Sequence, residues 1–435
     1  MNIENHSVRL REDKCKGCMN CIKRCPTEAI RVRNGKAYII HERCIDCGEC
    51  IRVCPYHAKR AERDTLDLLE GYKHKIALPA PALYGQFNNL DDIDRVLTAF
   101  KMIGFNDIFE VSKGAELISE ATRILLKRGE LKKPVISSAC PAACRLIRVR
   151  FPGLISNVLD LISPMEEAAR LARIKAQEET GLSQEEIGVF FITPCPAKIT
   201  AIRQPIGLAK SYINGALAIK DVYPKLLEHM NHLEDTKPLR ESGIIGVGWA
   251  SSGGESAALL REHYIAVDGV ENIIKVLEEI EDEKLTNVDF VELNACTGGC
   301  VGGVLCAENP FIARSRLQRL RKYLPVSCNH LESDEIPEAM NWTTSLKELS
   351  VLKLAENVEE ALELMSKLNS ISEHLPGLDC GTCGAPTCRA LAEDIVRGIA
   401  SESDCIFHAR DEAGNPSFEG PLPPPFRKPS EEGPQ

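Results

Sequence analysis

Ligands that must meet on one metal centre constrain a fold more tightly than any hydrophobic pattern. Two stretches of this sequence carry such a set: CKGCMNCIKRCP, beginning at Cys15, and CIDCGECIRVCP, beginning at Cys44. Both read C-x2-C-x2-C-x3-C-P. Three closely spaced thiolates cap one face of an iron–sulfur cube, and the fourth cysteine, ahead of proline, reaches the other cube. The spacing therefore predicts one 4Fe–4S cluster on Cys15, Cys18, Cys21 and Cys54, and a second on Cys44, Cys47, Cys50 and Cys25. Zinc normally takes its four ligands in two pairs, a poor match to this interlocked arrangement.

The chain has 19 cysteines, an odd number that rules out complete disulfide pairing. Its start, MNIENHSVRLRED, lacks the apolar segment of a signal peptide, and no run approaches the length of a membrane span. The expectation is a cytoplasmic chain whose thiols are reduced and bind metal. A net charge of −10 argues against a nucleic-acid binder.

A third cysteine set, Cys380, Cys383, Cys388 and Cys405, reads C-x2-C-x4-C-x16-C among glycines and a proline. It is taken as another 4Fe–4S site, with zinc as the rival. Seven cysteines remain. Three of them, Cys140 in VISSACP, Cys195 in VFFITPCPAK and Cys296 in FVELNAC, each stand just past a strand-like run. Ligands in open α/β sheets gather beyond the carboxyl ends of strands. With Cys300, these three would supply four thiolates to one site; the alternative is a scatter of buried free cysteines.

Strand-like runs at 76–78, 108–111, 134–136, 187–193, 244–247 and 288–293 alternate with helical patterns at 91–102, 116–127, 164–179 and 255–263. This predicts an α/β domain of parallel sheets flanked by helices. The expected organisation is a ferredoxin-like α+β domain at 1–65, the α/β domain at 66–335 and a helical spacer at 336–374. A small Fe-S module at 375–410 and a disordered, proline-rich tail at 411–435 follow.

SSACP, TPCPAK and ELNACTGGCVGG resemble, in order, the three signature loops of the iron-only (FeFe) hydrogenase catalytic domain. The resemblance implies an H-cluster, a 4Fe–4S cube joined through one cysteine to a diiron unit with CO, cyanide and a dithiolate bridge. It implies Cys140, Cys195, Cys296 and Cys300 as the cube ligands, Cys300 as the bridge, and Lys198 as hydrogen-bond donor to a cyanide. Ala80 and Pro81, in LPAPALYG, match the pair that lines the diiron pocket, and Gly298, Gly299, Gly302 and Gly303 would let main chain crowd the cofactor. Glu120, in ELISEATR, matches the first of two proton-path glutamates.

The departures bear on rate. Ala139 stands where the family has a proton-relaying cysteine, and Arg123 where it has the second glutamate. Thr193, Ala197, Ala201 and Asn294 replace further pocket residues. Losing one positioned acid–base group costs about 10²- to 10⁴-fold in rate. The pattern resembles a divergent, sensory branch of the family: reversible heterolytic hydrogen cleavage, slow, with electrons relayed through 4Fe–4S clusters. The partners implied are an external electron carrier such as a ferredoxin, maturation enzymes and a separate signalling partner, in an anaerobic setting. The alternative is a non-enzymatic iron–sulfur assembly or electron-transfer protein with the same fold and no diiron unit. Cys144 and Cys306 read as structural thiols, Cys328 is unassigned, and Glu255 is explained by its place at a helix start, where the dipole favours a carboxylate.

Overall fold

The computed structural model describes residues 6–351, 353–355 and 357–408, so the tail expected at 411–435 lies outside the described residues. Contacts divide the chain into two compact units. Met1–Arg9, His41–Arg52 and Lys59–Leu349 form the first; Leu10–Ile40, Val53–Ala58 and Ser350–Gln435 form the second. Cys44, Cys47 and Cys50 thus belong to the first unit, whereas Cys15, Cys18, Cys21, Cys25 and Cys54 belong to the second.

Two parallel sheets organise the first unit. Their strands are β1 (His74–Pro79), β2 (Asp107–Ile108), β3 (Val135–Ile136), β4 (Ile187–Thr193), β5 (Gly215–Ala218), β6 (Tyr264–Asp268) and β7 (Phe290–Asn294). One sheet has the order β2-β1-β4-β5, the other β6-β7-β3, and every pairing is parallel. In the first sheet Ile76 lies opposite Val189 and Leu78 opposite Phe191. These four enter one apolar core, while Ala77, Phe190 and Ile192, pointing the other way, enter a second. A strand with both faces covered has no reason to alternate in polarity, hence the unbroken apolar run of β4.

The helices that matter for the site are α1 (Val111–Arg128), α2 (Pro141–Arg150), α3 (Pro164–Thr180), α4 (Pro196–Arg203), α5 (Ile244–Gly248) and α6 (Gly254–Ala258). α1 and α3 each stop at a glycine in the left-handed region, Gly129 and Gly181. α2 and α4 each start with a cysteine at the N-cap and a proline in the first turn, a position where the missing N–H costs nothing.

Two expectations are corrected. Residues 244–247, expected as a strand, form α5, since a short apolar run between glycines fits either element. The amides of Ile244 and Ile245 donate to the carbonyls of Pro325 and Val326, at 2.7 and 3.1 Å, rather than to a strand. The helix expected at 255–263 ends at Ala258; Leu260 takes a φ of 54°, and the chain then enters β6. Within the expected spacer, Val358–His374 (α7) forms a helix.

In the second unit, Ile30–Arg33 and Lys36–Ile39 form an antiparallel hairpin. Asn34 and Gly35 turn it at φ of 52° and 72°, the left-handed pair that a two-residue hairpin loop demands. Three cysteine sulfurs in this unit accept backbone amides: Cys15 from Ala37 at 3.4 Å, Cys25 from Ala29 at 3.2 Å and Cys54 from Ala58 at 3.3 Å. Such donors stabilise sulfur carrying negative charge, as cluster thiolates do. α7 packs on α8 (Cys388–Val396), around a core that includes Leu368, Leu375, Leu391 and Cys405.

Candidate metal centre

Each signature loop leaves the carboxyl end of a strand of the first unit. β3 leads into Ser137–Cys140, β4 into Pro194-Cys195, and β7 into Ala295-Cys296 and on to Gly303. Ala80-Pro81 follows β1 in the same way. One cavity collects them, lined by Ala80, Pro81, Ala139, Cys140, Cys195, Lys198, Cys296, Gly299, Cys300 and Gly303. Cys47, from the second cysteine repeat, also reaches its wall.

Local chemistry holds these loops in shape. The Thr193 hydroxyl accepts from the Cys195 amide at 3.1 Å, so Thr193 builds the turn presenting the thiol. A Cβ on Gly302 would stand 2.0 Å from the Thr297 carbonyl oxygen, and one on Gly303 would stand 2.2 Å from that of Pro194. Those two glycines let the second and third loops close against each other. Gly298 and Gly302 are not among the residues lining the cavity; Gly299, at φ of 90°, and Gly303 are.

Burial opposes the ionisation of Cys195, Cys296 and Cys300. Burial, then the neighbouring Cys140, pushes the Cys195 thiol up to about 12. Burial and the adjacent sulfurs raise Cys296 well above its ordinary value, and burial raises Cys300. Burial works against the Lys198 ammonium, but the four sulfurs, Cys300 foremost, outweigh it and hold its pKa above the usual lysine value. A pocket that crowds four sulfurs, three of them held up by burial, around one cation suits a bound group that brings more positive charge. The iron of a cluster does so, and metal ligation deprotonates a thiol outright. The residues present therefore fit the group implied for them. None of the 19 cysteines is in a disulfide.

A second feature of the cavity is a pair of buried carboxyl groups, Glu255 at the start of α6 and Glu292 in β7. Glu292 accepts from the amides of Gly253 and Ser256, at 3.0 and 2.8 Å, and from Nδ2 of Asn294 at 2.6 Å. Among the described residues, Glu255 accepts only from the Ser137 hydroxyl, at 2.8 and 2.7 Å from its two oxygens. Burial, then the charge of Glu292, drives Glu255 well above the ordinary carboxyl range; burial also raises Glu292, against its donors. Three N–H donors favour the charge on Glu292, which leaves the proton on Glu255. The helix-dipole explanation of Glu255 is thus incomplete. An acidic residue inside the buried run FVELN was the available signal, since a parallel strand covered on both faces rarely holds one.

Glu120 is not among the cavity-lining residues. It lines a surface indentation with Arg123, Lys127, Arg128 and Asp334, and accepts from the Leu331 amide at 2.8 Å. Cys144, fully buried, directs its thiol to the Ser138 carbonyl, and Cys306 directs its own toward the Cys300 carbonyl, both as structural thiols would. Cys328 is exposed.

Asp46, between Cys44 and Cys47, is the buried joint of the cysteine-rich loop in this unit. It accepts from the Ser7 amide and hydroxyl, at 2.9 and 2.7 Å, and from the Thr200 hydroxyl of α4 at 2.5 Å. Arg52 Nη2 donates to the Gly302 carbonyl at 2.7 Å. The loop that carries Cys44, Cys47 and Cys50 is thereby tied to the loops that carry Cys195 and Cys300.

Compared with known families, the chain matches the iron-only hydrogenase large subunit, C-terminal domain, over residues 73–265 and 260–304, more than half its length. It belongs to the iron-only hydrogenase family. Residues 7–55 match a 4Fe-4S dicluster domain and residues 375–407 an Fe-S cluster family. Among hydrogenases, iron hydrogenase 1 of Clostridium pasteurianum is 24% identical over 53% of this chain and 50% of its own length. The periplasmic Fe hydrogenase large subunit of Nitratidesulfovibrio vulgaris is 31% identical over 44% of this chain and 50% of its own. The chain spans about half the length of these curated relatives. A solved FeFe-hydrogenase variant from Chlamydomonas reinhardtii, 16% identical, covers 58% of this chain and 86% of its own at a TM-score of 0.46. Among the described residues, no helix is long and apolar enough to cross a membrane.

Proposed function

We propose that this chain is a slow hydrogenase that interconverts dihydrogen with protons and electrons and serves a sensory role in the cytoplasm. The observation that carries this reading is the joint presence, in one cavity, of Cys140, Cys195, Cys296, Cys300, Lys198 and the Glu255–Glu292 pair. When bound, the H-cluster supplies the metal centre at which dihydrogen is split heterolytically or formed. Cys140, Cys195, Cys296 and Cys300 would hold its cube, with Cys300 as the bridge to the diiron unit.

The chain's own residues do the rest. Lys198 keeps a buried ammonium facing the cavity, the donor an anionic cyanide ligand needs. Ala80 and Pro81 contribute apolar wall. Glu255 holds a proton at a carboxyl oxygen in contact with the cavity, and Glu292 beside it adjusts how readily that proton leaves. This pair takes over the acid–base duty that Ala139 cannot perform. One group doing the work of a tuned path is consistent with slow turnover, and slow turnover with a sensor that reports through a separate signalling partner. Electrons travel through the 4Fe–4S clusters to an external carrier, and maturation enzymes install the diiron unit.

A protein of iron–sulfur assembly or plain electron transfer has no use for an ammonium and a protonated carboxyl facing its cluster. Hydrogen–deuterium exchange by the fully matured protein tests the reading. Slow, hydrogen-dependent exchange is the expected result. Absence of exchange, uptake and evolution in protein carrying the complete cofactor would overturn it.

A further inference from the structure

Two cysteine-rich loops of the second unit touch. Met19 follows Cys18 and Ile22 follows Cys21, while Gly381 lies between Cys380 and Cys383. A Cβ on Gly381 would stand 3.4 Å from both the Met19 Sδ and the Ile22 Cδ1. The contact continues along the hairpin. The Val32 amide donates to the Gly384 carbonyl at 2.8 Å, and Arg33 Nη1 to the Cys383 carbonyl at 2.6 Å. Gly384, at φ of 81°, has no space for a side chain, because a Cβ would stand 1.9 Å from the Val32 oxygen. Lys23 donates to the carbonyls of Asp379 and Pro386, so a residue two past Cys21 clasps the loop that carries Cys380 and Cys383.

Behind these contacts lies an ion pair out of reach of water. Arg31 Nε donates to Asp394 Oδ2 at 2.7 Å, with side-chain exposures of 0% and 3%, and Arg33 adds a second contact to the same oxygen at 3.1 Å. An exposed pair would say little about docking. A pair this deeply buried is costly to separate, because each charge would be left without its partner in a desolvated site. The C-terminal module is therefore seated on the first cysteine repeat as part of the fold, not tethered beside it.

We infer that the C-terminal module is the protein's electron port: Cys380, Cys383, Cys388 and Cys405 hold an iron–sulfur cluster in fixed contact with the one on Cys15, Cys18, Cys21 and Cys54. A reduced, low-potential one-electron carrier is oxidised as the C-terminal cluster is reduced. That cluster is reoxidised as its electron passes to the cluster of the first repeat. No bond forms or breaks and no proton is needed, so the same route runs outward when the potential gradient reverses. The port is independent of the hydrogen chemistry proposed above and operates whether or not a diiron unit is bound.

The test uses the full-length chain with its iron–sulfur clusters reconstituted and no diiron unit, and reads electron paramagnetic resonance rather than hydrogen turnover. In the fully reduced protein, the spectrum is expected to show magnetic interaction between the C-terminal cluster and its neighbour. Cys388→Ala should lower the iron content and abolish that interaction. Reduction of the remaining clusters by a reduced ferredoxin should slow by at least an order of magnitude, while reduction by dithionite, a small reductant able to reach any exposed cluster, stays unchanged. Zinc at the C-terminal site, a spectrum that is the plain sum of isolated clusters, or an unchanged ferredoxin rate in the variant would each overturn the inference. The wild-type metal content and spectrum decide the matter even if the variant fails to fold.

Discussion

Replacing Glu255 by glutamine removes a titratable proton from the cavity and changes little else. The wild-type carboxyl accepts from the Ser137 hydroxyl, which can also serve as acceptor, so an amide oxygen or nitrogen satisfies it equally. Fold stability should shift by no more than about 1 kcal/mol, the net worth of a single hydrogen bond. The catalytic consequence should be larger. Loss of a positioned acid–base group costs about 10²- to 10⁴-fold, or about 3–5 kcal/mol in the barrier. The assay is hydrogen–deuterium exchange and dye-linked uptake on matured wild type and variant, with the infrared spectrum as a control for an intact cofactor. Glu292→Gln is a poorer probe. Its two oxygens face the amides of Gly253 and Ser256, so either placement of the new NH2 sets donor against donor. A Glu255→Gln protein with an intact cofactor and wild-type turnover would refute the assignment of the proton to this pair.

Glu166 is buried, and burial holds its pKa above the ordinary carboxyl range against donors from Ser211 and Tyr212. A raised folded-state value favours the protonated fold, so its contribution is complete below the unfolded glutamate pKa and is lost as pH rises through the folded one. Glu166→Gln keeps both partners without a charge, so urea midpoints at acid and alkaline pH should show the variant gaining on wild type as pH increases. Gly303→Ala places a Cβ against the Pro194 carbonyl and should cut the iron retained after reconstitution, measured by metal analysis. Asp394→Ala leaves the Arg31 guanidinium buried without its partner and should destabilise the second unit by about 3–5 kcal/mol in denaturant titrations of the cluster-loaded chain.

How far the sequence could be read depended on what the reading required. Cysteine spacing and strand-end placement were enough to gather Cys140, Cys195, Cys296 and Cys300, because β3, β4 and β7 are short apolar runs in parallel sheets with a defined ligand edge. Ala80, Pro81 and Lys198 line the same cavity as those four cysteines. Periodicity failed at Ile244–Val247, where three apolar residues interspersed with glycine suit strand and helix equally, and only the carbonyls of Pro325 and Val326 decide. Glu255 and Glu292 are 37 positions apart, from 255 to 292, and no local pattern joins them. Their pairing exists only once α6 and β7 meet.

The central claim is that this cavity holds a complete H-cluster, and infrared spectroscopy tests it most directly. The protein, reconstituted with iron and sulfide and then loaded anaerobically with the diiron cofactor, should show sharp CO and cyanide bands that shift under hydrogen. In Lys198→Ala the cyanide bands should move or vanish. Intact iron–sulfur clusters with no such bands after loading would contradict the claim and leave an electron-transfer protein on a hydrogenase fold.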